Sequence, residues 1–143
     1  MKVLDFIVAE DIRFEMAGKI SIIGLLDDGI FINSPEPEKI VWPIPFKLGI
    51  HASLQPTSEA SKLITSFELS ILHNGAVAGG FNGPVKITNP GQPLRLNLVA
   101  FPFPLQGPGN LSFRIRFKKG DLVAEELAID RMVAVNVVRI PYQ

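Results

Sequence analysis

The 143-residue chain carries 14 Lys+Arg against 14 Asp+Glu and contains no cysteine. That length suits one domain around a single core. Balanced charge gives no field to draw the chain onto nucleic acid or anionic lipid, and without thiols there is no disulfide, thiolate metal site or thiol nucleophile. Hydrophobic residues make up 47% of the chain and charged residues 20%, so some apolar surface is expected to meet another chain. The opening "MKVLDFIVAED" is broken by Asp5 and turns acidic before a signal-peptide core forms. No apolar run is long enough to span a bilayer. A cytoplasmic setting is expected.

In chain order, period-two alternation dominates, the signature of strands with one dry face. Leu4, Phe6, Val8, Ile12 and Phe14 share one parity; Asp5, Asp11, Arg13 and Glu15 take the other. Glu10 falls on the apolar parity, which predicts a bulge near Ala9-Glu10 rather than a buried carboxylate. A three-residue loop, Met16-Ala17-Gly18, with glycine in the left-handed position, pairs Phe14 with Ile20 and Ile12 with Ile22. It also sets Arg13 opposite Ser21 and Glu15 opposite Lys19. "LLDDG" is a turn, "IFIN" a short strand and "SPEPEK" a polar loop. The segment Ile44 to Ile50 alternates, and Pro43 and Pro45 are expected to start it at a sheet edge.

"QPTSEASK" is a second loop. "ITSFELSILHNGAVAGGF" predicts a tight Asn-Gly hairpin with Thr65, Phe67, Leu69 and Ile71 pointing inward. Leu94, Leu96 and Leu98 alternate with Arg95 and Asn97. In "FPFPLQGP", Phe101, Phe103 and Leu105 are expected to anchor the chain as it crosses between sheets. The last hairpin turns at "KKGD", with Leu111, Phe113, Ile115 and Phe117 inward and Ser112, Arg114, Arg116 and Lys118 outward. A bulge at Glu125-Glu126 returns Leu127 and Ile129 to the inner face. The inner face is expected from Phe6, Phe14, Ile22, Phe46, Leu48, Phe67, Leu69, Leu96, Phe113 and Ile115. Eight to nine short strands argue an all-β, antiparallel, two-sheet immunoglobulin-like sandwich, with a closed barrel as the competing architecture.

The stretches "AEDIRFEMAGKISIIGLL", "FPFPLQGPGNLSFRIRF" and "LVAEELAI" together resemble a bacterial family of small β-sandwich proteins, a domain of unknown function. The resemblance rests on Asp11, Arg13, Gly18, Lys19, Ser21, Ile23 and Gly24, and on Pro104, Pro108 and Gly109. Leu111 stands where that family commonly has an aromatic residue. The likeness spans Leu4 to Ile129. It implies a fold and a cytoplasmic setting, and no activity.

Candidate chemistry is sparse. His51 and His73 are the only histidines and are expected on opposite faces, which argues against a shared metal. Asp27-Asp28-Gly29 lacks the alternating ligands of a calcium loop and reads as a turn. No serine stands in a Gly-x-Ser-x-Gly elbow, and Glu125 and Glu126, as strand neighbours, point apart. The row Arg114, Arg116, Lys118, with Lys119, has no aromatic residues to stack bases, and Glu125 is expected opposite Arg114. No catalytic, cofactor or metal residues are therefore assigned. Residues 1–129 are read as the sandwich and residues 130–143 as an apolar strand or tail of the same domain. "MVAVNVVRI" is apolar on both parities and asks for cover on both faces. Its residues Met132, Val133, Val135, Val137, Val138 and Ile140 form the candidate interface, pairing either within the chain or with a neighbouring subunit. The expected function is a non-catalytic binding or structural module that meets itself or another protein. Small-molecule or glycan binding by sandwich-end loops is the alternative, in which Trp42 or Tyr142 would lie on an open surface. An enzyme with a dispersed site comes third.

Overall fold

Alternating side chains give each strand one dry and one wet face, and dry faces are satisfied when two sheets stack. The computed structural model describes residues 1–142. Among those residues nine strands occur: β1 (Lys2–Phe14), β2 (Ile20–Leu25), β3 (Ile30–Ser34), β4 (Lys47–Gln55), β5 (Ser66–His73), β6 (Ala76–Pro84), β7 (Leu94–Pro102), β8 (Gly109–Lys119) and β9 (Leu122–Arg139). They form a four-stranded sheet, β2-β1-β4-β7, and a five-stranded sheet, β3-β9-β8-β5-β6. The fold is all-β and consistent with a β-sandwich. One core cluster draws on both sheets, and Phe6 of β1 meets Phe113 of β8 with ring centroids 5.2 Å apart. Phe67, Leu69, Leu48, Leu96 and Ile115 are buried there, with Phe46 half-buried against them.

The hairpin grammar is obeyed. Phe14 pairs with Ile20, Arg13 with Ser21 and Ile12 with Ile22, and the Glu15 N–H donates to the Lys19 carbonyl at 2.8 Å. Gly18 takes φ +71°, where a Cβ is penalised. Asn74 (φ 50°) and Gly75 (φ 85°) close the β5–β6 turn.

Four expectations change. First, the sheets are not purely antiparallel: β3 runs parallel to β9, from Ile30 opposite Val135 to Ser34 opposite Arg139. Parallel neighbours need a long connection, and here β4 to β8 lie between them. Second, β4 is an interior strand between β1 and β7, because it starts only at Lys47 and leaves the prolines outside. Third, Leu4 is exposed, since a register shift between Val3 and Asp5 ejects it. Thr65, just before β5, is also exposed. Fourth, the late bulge falls one residue early. Phe117 faces Glu125 while Lys118 faces Val123, so Ala124 is the extra residue. Glu126 then points outward beside Arg116, and Glu125 turns in to meet the Met1 ammonium group.

The stretch "FPFPLQGP" carries the chain from β7 in one sheet to β8 in the other, and Phe103 and Leu105 are buried in the core. Ile44 and Leu105 exchange main-chain hydrogen bonds of 2.9 Å, stitching the proline segment to this crossing.

Candidate functional site

The first hairpin does not finish its course in the core. After Ala9 pairs with Gly49, β1 leaves β4 and passes over it. A Cβ built on Gly49 would lie 3.1 Å from the Ile12 main-chain nitrogen and from Ile12 Cγ1. Gly49, His51 and Ser53 share the outward parity of β4, so the crossing lies on the outer face of the four-stranded sheet. Asp11 approaches β7, and the hydrogen bond from the Arg13 side chain, helped by the nearby Ala100 N–H, holds its carboxyl below the usual range. Ile12 is fully buried yet lies outside the inter-sheet cluster. Phe14, expected on the inner face, is 66% exposed, and Ile22 is only half-buried.

The same departure settles Glu10. No register break occurs at Ala9-Glu10: Ala9 faces Leu25 and Asp11 faces Ile23. Glu10 keeps its parity, but β1 has already left the core there, so its side chain lies over Gly24 and opens to solvent. It borders a hollow of about 650 Å³ walled by Pro43, Pro45, Phe46, Pro102 and Pro104.

Between hairpin and sheet lies a second cavity of about 510 Å³. Its floor holds two rows of side chains set by strand register. One row is Ile7–His51–Asn97, the other Asp5–Ser53–Arg95, running across β1, β4 and β7. Phe14, Gly18 and Ile20 of the hairpin form its far wall. His51 is only 9% exposed, and its Nδ1 is hydrogen-bonded to Asn97 Oδ1. Among the described residues, Nε2 of His51, the Asp5 carboxylate and the Arg95 guanidinium have no protein partner. Sequence reasoning missed this group because polar residues at period two on three strands look like any wet face. His51 was weighed only as a partner for His73, which sits in the other sheet with Nε2 3.3 Å from the Pro108 carbonyl.

The remaining candidates fall into place structurally. The basic row on β8 is interleaved with carboxylates: Lys118 with Glu68 at 3.0 Å, Arg116 with Glu126 at 2.9 Å and with Glu68 at 3.9 Å. Glu126, not Glu125, is the acidic neighbour of Arg114, at 3.8 Å. Asp27 pairs with Arg131. Tyr142 is exposed and its hydroxyl meets Glu36, whereas Trp42 packs half-buried against the core.

In the expected tail, β9 is continuous through both halves of the 129/130 division and is paired on two sides within its own chain, by β8 and by β3. Val133 and Val135 are buried in the core and Val137 is half-buried; Met132 and Val138 point outward, and Ile140 donates to the Ser34 carbonyl. Gln143 lies outside the described residues. No helix among the described residues is long and apolar enough to cross a membrane. No protein-family model and no curated protein matches this chain.

Proposed function

We propose that this chain is a non-catalytic binding module, immunoglobulin-like in architecture and cytoplasmic, that acts by self-association. The observation that carries this reading is an apolar strip on the outer face of β3 and β9. Phe31 is 54% exposed and Met132 61%, with Val138 close by on the same parity. β3 ends its sheet, so one side of its main chain is unpaired, and "IFINS" carries no charge or proline to blunt that edge. At the rim, Arg131 and Arg139 are already paired with Asp27 and Glu38. A neutral, self-complementary strand edge suits a second copy related by a two-fold axis, with β3 antiparallel to its mate. In this reading Met132 and Val138 of the candidate interface are contact residues. Val133 and Val135 support them from within.

Light scattering over a concentration series tests the reading. A dimer is expected, and Phe31→Asp should convert it to a folded monomer. A full-length protein that stays monomeric at high concentration, or a folded variant with unchanged mass, refutes it. Deleting Asp130 to Gln143 is the wrong tool, because it removes Val133 and Val135 from the core.

A further inference from the structure

We infer that the cavity beneath the first hairpin is a binding site for a small zwitterion of the amino-acid class. A wet sheet face normally leaves its polar side chains in bulk water. Here the hairpin passes over part of that face while Asp5 and Arg95 stay exposed, and His51 is more than nine-tenths buried with Nε2 free of any partner among the described residues. Asn97 fixes the imidazole through Nδ1, which leaves Nε2 as the group available to a ligand. His51 Nε2 is not among the buried unpartnered polar atoms, so it opens on the cavity, where water or a ligand can reach it.

The charges give the ligand its class. Asp5 and Arg95 stand on either side of Ser53 in a single cross-strand row. Neither is engaged in an ion pair among the described residues, and Arg95 is the one arginine among them of which that is true, since Arg13, Arg114, Arg116, Arg131 and Arg139 each meet a carboxylate. One strand separates them, so a molecule seated over Ser53 meets a carboxylate on one side and a guanidinium on the other. A guanidinium receives a carboxylate through two parallel hydrogen bonds, and Asp5 accepts from an ammonium group. Opposite the polar floor, Phe14 and Ile20 offer an apolar wall for the ligand's side chain. About 510 Å³ is within the range of small-molecule sites. An anion alone would leave Asp5 unanswered, and a neutral sugar would leave both charges so.

L-Leucine is the probe, with 4-methylpentanoate lacking its amine and isoamylamine lacking its carboxylate. Calorimetry on the full chain measures affinity, and the His51 ring resonances report whether binding is at this site. Leucine should bind and shift those resonances, while each truncated analogue binds about tenfold or more weakly. Asp5→Asn and Arg95→Met, both at exposed positions and expected to fold, should each cost leucine a similar factor. Absent leucine binding, equal binding by either analogue, a heat without a shift at His51, or tighter binding of glucose or inorganic phosphate would each overturn the assignment. Because Phe31→Asp lies on the other sheet, it should leave leucine affinity unchanged.

Discussion

Replacing Gly49 with alanine adds one methyl group at the point where β1 crosses β4. That methyl would meet the Ile12 main-chain nitrogen and Cγ1, each at 3.1 Å, inside ordinary carbon contact distance. Ile12 could rotate its side chain, but the nitrogen moves only if the whole hairpin lifts. Forced repacking of this kind costs about 1–3 kcal/mol. Alanine also stiffens the unfolded chain, which returns about 0.4–1 kcal/mol. The net expectation is a loss of about 1–2 kcal/mol, a fall in melting temperature of roughly 3–8 °C for a domain of this size. Urea unfolding followed by the fluorescence of Trp42, the single tryptophan, measures it directly. The slope of the transition should not change, since both states keep their exposed area. If the hairpin did not lie against β4, only the entropic contribution would remain and the variant would be more stable than the parent. A stabilised Gly49→Ala protein therefore refutes the crossing.

Gly18→Val should lower the melting temperature, because φ +71° is strained for a β-branched residue, while open space around the site removes any steric confusion; an unchanged value in a thermal scan would show that the loop adapts. Glu68 carries the one pH effect with a clear sign. The hydrogen bond from Lys118, helped by the charges of Lys118, Arg116 and Arg114, holds its carboxyl below the usual range. A depressed folded value means the contribution is present above the unfolded carboxylate range and is lost as pH falls through the folded one. Stability measured from neutral to acid pH should thus fall less steeply in Glu68→Gln than in the parent, and parallel curves would remove that role.

Much of the architecture was legible because local chemistry decided it. The Met16-Ala17-Gly18 loop and Asn74-Gly75 each demand a particular backbone, and the pairings on either side follow from them. The all-β character followed from alternation over most of the chain. What alternation cannot report is where a strand leaves its sheet. Ile12 and Val8 have the same parity and the same near-zero exposure, yet Val8 faces the other sheet and Ile12 faces the outside of its own. Only Gly49, thirty-seven positions later in the sequence, permits that crossing, and a glycine in a strand says merely that something comes close. The bulges at Leu4 and Ala124 escaped for a related reason. One extra residue can be placed at several neighbouring positions without changing which apolar residues end up buried.

The same logic explains the polar cavity and the apolar excess together. A chain this hydrophobic predicts a partner, but part of the surplus is spent inside the chain. The hairpin turns Ile12 inward against a second surface, and β3 covers an edge of the doubly apolar β9. A sheet face that would have been wet thereby gains a roof, and His51 is buried without moving from its outward parity. Had the hairpin stayed flat in the sheet, His51 would be a surface residue like the exposed Asp5 and Arg95 beside it, with bulk water for a partner. The cavity comes from one glycine's missing side chain, which lets a second layer pass close enough to cover His51 and leave Asp5 and Arg95 at its open edge.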